Sequence, residues 1–130
     1  MLINKITLLA VIILNLILTA CSKEADQITQ GKQLFEQQQI GFLKSPGCII
    51  CHSLKEGVNI AGPSLYKIGK TAITRKTGMT ARDYIYESII DPAAYVVNGY
   101  RHDQMYAHYK DELDAEEISQ LVAFLLSQTQ

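Results

Sequence analysis

The 130-residue chain predicts an all-α fold. Three observations carry that expectation. Residues 28–40, 80–91 and 114–128 repeat apolar side chains at helical spacing. The last two of these open on a side chain suited to cap a helix. No strand-type alternation persists beyond a few residues, and there is no internal repeat or low-complexity segment. The length suits one ordinary domain.

The first twenty residues stand apart. Lys5 is followed by an apolar run, Ile6 to Leu18, broken only by Thr7 and Asn15, and then by Thr19, Ala20 and Cys21. That order predicts a secretory signal peptide over 1–20. The run falls short of the roughly 20 residues of a spanning helix, an uncleaved anchor being the alternative. The four residues Leu18-Thr19-Ala20-Cys21 resemble the lipobox of bacterial lipoproteins. The resemblance implies a mature chain beginning at a lipidated Cys21, held by that lipid on the periplasmic face of a bacterial membrane, inner or outer. Ser22 is compatible with outer-membrane sorting. Residues 21–27 then form the anchor and a polar tether, "SKEADQ" reaching about 20 Å when extended, and 28–130 form the folded domain. Removing 1–20 takes away Lys5 and leaves 11 basic and 13 acidic side chains, a formal charge of −2. With no basic stripe and no interleaved aromatics, nucleic acid is excluded as a partner. With Cys21 lipidated, the other two of three cysteines remain as a pair in an oxidising compartment.

The elements follow in order. Ile28 to Ile40 forms a first helix, with Ile28, Gly31, Leu34 and Phe35 at helical spacing. A shorter helix is expected after Pro63, around Ser64 to Gly69. Thr80 and Asp83 make a capping pattern for Thr80 to Asp91, which sets Tyr84, Ile85, Ser88 and Ile89 on one side and stops at Pro92. Asp114 and Glu117 form a capping box for the last helix, whose buried stripe is Ile118, Leu121, Val122 and Leu125. Between Pro92 and Leu113 lie about twenty residues without a clear period. They carry Tyr95, Val96, Val97, Tyr100, Met105, Tyr106 and Tyr109, too much apolar surface to stay in solvent.

The chemistry concentrates in "GCIICH", Gly47 to His52. A structural zinc site needs four ligands; Cys48, Cys51 and His52 supply three at most, His102 or His108 would have to complete it, and adjacent cysteine and histidine ligands fit a tetrahedron awkwardly. A thiol-exchange pair belongs beside a βαβ unit, and no strands are predicted. A plain disulfide remains the simplest alternative. C-x-x-C-H is also the attachment site of c-type haem, and helical geometry suits it. At about 100° per residue, Cys48, Cys51 and His52 fall within an arc of roughly 100° on one side of a turn. Two thiols then reach the two vinyl groups of one haem edge, while the imidazole lies under the iron.

With these residues in view, the mature chain resembles the class I c-type cytochromes along nearly its whole length. "GKQLF" (Gly31 to Phe35) looks like the family's first helix, "CIICH" its haem site, "GPSL" (Gly62 to Leu65) its G-P-x-L segment, and "DAEEISQLVAFLL" its last helix. The resemblance implies a cytochrome c-like fold of three to five helices around one covalently attached haem. It also implies that the first and last helices cross at Gly31, with Phe35 near Leu121 and Phe124. The Pro63 carbonyl should accept a hydrogen bond from the His52 ring. In two places the chain departs from the family. "QQQIGFLKSPG", between Phe35 and Cys48, is longer than usual, and Met105 is followed by Tyr106 rather than proline.

His52 leaves one axial position. Met105, in the long loop nine residues before Asp114, is the expected ligand; Met79, His102 and His108 are the alternatives. Gly99 is expected to turn the loop, which covers the distal face with Tyr and Val. A filled pair of axial sites implies an electron carrier rather than an enzyme, serving periplasmic or membrane redox proteins as donor and acceptor. Two other readings stand beside it. One is a dedicated subunit docked on a dehydrogenase or terminal reductase through an apolar patch such as Ile40 to Leu43. The other is a haem peroxidase or gas-binding protein with a labile Met105. The five carboxylates of Asp111 to Glu117 read as a solvated helix start, with a docking patch for a basic partner as the alternative, and Lys67, Lys70, Arg75, Lys76 and Arg82 as surface charge, with propionate neutralisation or acidic-partner docking as the alternatives.

Overall fold

The fold is seen in a computed structural model, which describes residues 8–10 and 23–130. The signal sequence, apart from a helical turn at 8–10, and Cys21 lie outside the described residues. Helix α1 is described over 23–36, and a two-stranded antiparallel hairpin follows, β1 (Gln39–Ile40) and β2 (Ser45–Pro46). Next come α2 (Cys48–Cys51), α3 (Ile68–Thr71) continued by a 3₁₀ turn at Ala72–Thr74, α4 (Ala81–Ile90), α5 (Tyr109–Glu112) and α6 (Ala115–Ser127). The all-α expectation holds in substance: three long helices carry the framework, and α2, α3 and α5 are single turns. Among the described residues no helix is long and apolar enough to cross a membrane.

Helices α1 and α6 cross as the resemblance implied. Gly31 lies so close to α6 that a Cβ there would sit 1.9 Å from the Gln120 carbonyl oxygen. Phe35 is 1% exposed and meets Phe124 at a ring-centroid distance of 5.5 Å. Gln120, itself buried, donates to the Gln30 side chain at 2.6 Å. Helix α4 packs against α6 and buries Tyr84, Ile85 and Ile89. The Asp114–Glu117 capping box forms in full. At α4, the Thr80 hydroxyl accepts from the Asp83 N–H, but the Asp83 carboxylate accepts from that hydroxyl rather than from the Thr80 backbone.

Four expectations need correction. The first helix ends at residue 36, not Ile40, because Gly41 and Lys44 adopt left-handed backbone and turn the chain back as a hairpin. Ile40 is buried there in a strand instead. The stretch expected to be a tether is helical from residue 23. Gln30 bonds Asp26 and Thr29 bonds the Ala25 carbonyl along α1, while Gln27 reaches across to Glu116 on α6. The helix after Pro63 begins only at Ile68, since Lys67 takes a left-handed conformation just before it. Finally, the loop from Pro92 to Leu113 contains the turn α5.

Candidate functional site

The haem-type motif is held in place from behind. Gly47 caps α2, and a Cβ on it would fall 1.8 Å from the Gln37 carbonyl oxygen, so only glycine lets this turn rest on the hairpin. The Gly47 N–H donates to the Gln38 carbonyl at 2.8 Å. Helix α2 stops at Cys51. His52 leaves it in extended backbone (φ −121°, ψ 144°), although its N–H still bonds the Cys48 carbonyl. Helical continuation therefore does not aim the imidazole as the angular argument supposed. Instead, ring Nδ1 lies 2.8 Å from the Pro63 carbonyl, the bond implied by the resemblance. Nδ1–H donates to that carbonyl and leaves Nε2 as the lone-pair nitrogen. Burial lowers the His52 pKa and keeps the ring neutral. Gly62 lies against the ring face, where a Cβ would come within 2.4 Å of Cε1.

Cys48, Cys51 and His52 line one predominantly apolar cleft of about 1240 Å³, counted out to its solvent mouth. Pro63 and Leu65 share the wall on the His52 side. Tyr95, Val96, Val97, Tyr100, Met105 and Tyr106, from the long loop, line the same cleft. The loop turns at Gly99, with φ +91°. Met79, His102 and His108 do not line the cleft; Met79 packs against the hydrophobic core.

The chemistry of this donor set separates the readings of the motif. Both cysteines are free. Burial pushes the Cys48 thiol up to about 12, the opposite of what a thiol-exchange nucleophile requires. Among the described residues no group of three or more His, Cys, Asp or Glu side chains is placed to hold a metal ion. A buried, protonated Cys48 thiol beside a free Cys51, a neutral imidazole with one nitrogen already engaged, and a thioether lining the same apolar cleft fit a covalently bound haem. The cytochrome c family model matches residues 28–129. The chain belongs to the cytochrome c family. Comparisons with curated proteins and with solved structures returned no match. As a cytochrome c it carries covalently attached haem c and acts as a haem-based electron carrier, not an enzyme.

Around the site of this cytochrome c lie contacts that sequence reasoning missed. Glu112 is not one of the solvated carboxylates that the sequence predicts. It accepts from the Ser45 hydroxyl on β2, and both its oxygens lie 2.8 Å from the Tyr106 hydroxyl. These hydrogen bonds hold its carboxyl below the usual carboxylate range. Tyr109 donates to the Pro46 carbonyl at 2.6 Å, and burial pushes its phenol pKa up. Gln104 donates to the Ala61 carbonyl at 2.6 Å, joining the long loop to the segment over His52. Arg75 reaches the cleft wall, whereas Lys76, its neighbour in the basic stretch, pairs with Glu87 at 2.5 Å. No sequence signal distinguished Glu112 from its acidic neighbours. Nor was Arg75 separable from its basic ones.

Proposed function

We propose that this cytochrome c is a lipid-tethered, monohaem, one-electron carrier at the periplasmic face of a bacterial membrane, serving redox proteins there. Cys48 and Cys51 form the thioethers, and His52 and Met105 are the axial ligands. When bound, the haem supplies a one-electron ferric/ferrous couple, and Met/His ligation raises its potential relative to other axial pairs. The observation that carries the reading is that Met105 shares the cleft with Cys48, Cys51 and His52, while Met79, His102 and His108 do not. The apolar wall of Tyr and Val excludes water and favours the less charged, reduced state. Arg75 and Tyr100 line the cleft and would be available to the haem propionates. Tethering at Cys21 is supported by the lipobox-like Leu18-Thr19-Ala20-Cys21. Because residues 23–27 are helical, such a lipid would hold the domain close to the bilayer.

The test is the absorption spectrum of protein matured with haem-attachment machinery. Ferric wild type should show the weak red band of sulfur-ligated iron. Met105→Ala should lose it and Met79→Ala should keep it; the reverse pattern contradicts the assignment. Refusal of carbon monoxide by the reduced protein argues for the carrier, and rapid binding for a labile ligand. Palmitate labelling that disappears in Cys21→Ala tests the anchor.

The dedicated-subunit reading draws support from the hairpin tip, where Phe42 is 74% and Leu43 61% exposed. Co-purification with a large partner after mild detergent extraction, lost on Phe42→Ser, would favour it over the diffusing carrier.

A further inference from the structure

Met105 sits in a loop with no regular structure between α4 and α5, yet both of its neighbours are fastened. Gln104 bonds the Ala61 carbonyl on one side. On the other, Tyr106 donates to Glu112, and its ring packs edge-on against those of His108 and Tyr109, with centroids 5.4 and 5.0 Å away. Glu112 is fixed in turn by Ser45, a side chain only 3% exposed, and Tyr109 ties the next residue, Pro46. Strand β2 runs through Gly47 directly into Cys48–His52. One carboxylate therefore joins the strand that leads to His52 and the loop that carries Met105. Carboxylate-to-hydroxyl bonds are among the stronger hydrogen bonds, and here a buried hydroxyl fixes one end. The Ser45 side of this joint comes from the lengthened segment between Phe35 and Cys48.

We propose that Glu112 is a positioning residue for the sixth ligand. By gripping the Tyr106 hydroxyl against the Ser45-anchored hairpin, it limits how often Met105 swings out of the cleft, and so sets the rate at which an external ligand can replace it. The inference rests on Met105 being the axial ligand, as proposed above.

The experiment is imidazole exchange into the matured ferric protein, followed by loss of the red band in a stopped-flow instrument. Imidazole binds only after sulfur leaves, so the limiting rate at saturating imidazole measures Met105 release. Glu112→Ala and Tyr106→Phe should each raise that rate by about tenfold or more, and Glu112→Gln by less. The double variant should be no faster than the faster single one, because both remove the same joint. A purely structural role would lower stability to denaturant and leave the limiting rate unchanged. Should Glu112→Ala fail to mature, Tyr106→Phe and Ser45→Ala decide, since each deletes only a hydroxyl. Folded variants that keep the red band and exchange within about twofold of wild type would overturn the proposal. A wild type without the red band, unchanged by Met105→Ala, would overturn it together with the ligand assignment. A wild type with the band and unaffected variants would overturn the joint alone.

Discussion

Gly31→Ala tests the helix crossing on which the cleft is built. The added methyl would lie 1.9 Å from the Gln120 carbonyl oxygen, 2.5 Å from its carbon and 2.8 Å from Phe124 Cβ. Ordinary contact begins at 3.4 Å, a shortfall of 3.4 − 1.9 = 1.5 Å at the oxygen. That oxygen is backbone, so no rotamer change relieves it, and α1 must move off α6. A gap of roughly 0.5–1 Å already forfeits a quarter to a half of a contact's attraction. The Phe35–Phe124 pair and the Gln30–Gln120 bond both span this crossing and would loosen together. Overpacking costs roughly 1–3 kcal/mol, and an immovable neighbour puts this site at or above the upper end. Alanine returns about 1 kcal/mol of helix propensity. The net loss should be about 2 kcal/mol, or a fall in Tm of roughly 10 °C for a domain of this size. Guanidinium titration of the matured protein, followed by far-UV circular dichroism, measures it. Gly57→Ala is the control. Its methyl would meet nothing within 4 Å, but φ is +69°, so it should cost only about 1 kcal/mol of backbone strain. If Gly31→Ala proved no more destabilising than Gly57→Ala, the close crossing would be refuted.

The remaining predictions concern the site and its supports. Gly62→Ala places a methyl 2.4 Å from His52 Cε1 and should displace the ring from the Pro63 carbonyl; the yield of covalent haem protein should fall sharply, and a wild-type yield would contradict this. Asp114→Ala removes the side-chain acceptor of the Glu117 N–H, one of the two reciprocal bonds of the capping box, and should cost about 1 kcal/mol in denaturant titration while leaving the visible spectrum unchanged. The Glu112 carboxyl is depressed by its Ser45 and Tyr106 hydrogen bonds. Its stabilising contribution is therefore complete above the ordinary glutamate value of about 4.3 and is lost as pH falls through the lower folded value. The stability difference between wild type and Glu112→Gln should stay level from about pH 7 to 5 and shrink below about pH 4; a difference that grows on acidification contradicts the sign.

Much of this fold was legible because its signals are local. Asp114 and Glu117 announce a helix start three residues apart, and Ile118, Leu121, Val122 and Leu125 repeat at its period. "CIICH" carries its chemistry within five residues. What escaped depends on pairs distant in sequence. Helix-compatible "EQQQI" runs into a hairpin because Ile40 is buried there and Gly41 and Lys44 supply left-handed turns. Residues 23–27 looked like a solvated tether, but Gln27 meets Glu116 across 89 positions. Glu112 is one of five carboxylates in seven residues, and only the fold brings Ser45 and Tyr106 to it. The angular argument for His52 succeeded in grouping the motif and failed on the mechanism, since a single turn ends at Cys51 and the Pro63 carbonyl orients the ring.

Mass spectrometry of the matured protein after acid–acetone extraction tests the central claim most directly. The account predicts one haem retained per chain, on a single peptide containing Cys48 and Cys51, with neither thiol open to alkylation. A colourless chain at the unmodified mass, its two thiols alkylatable or joined to each other, would contradict it.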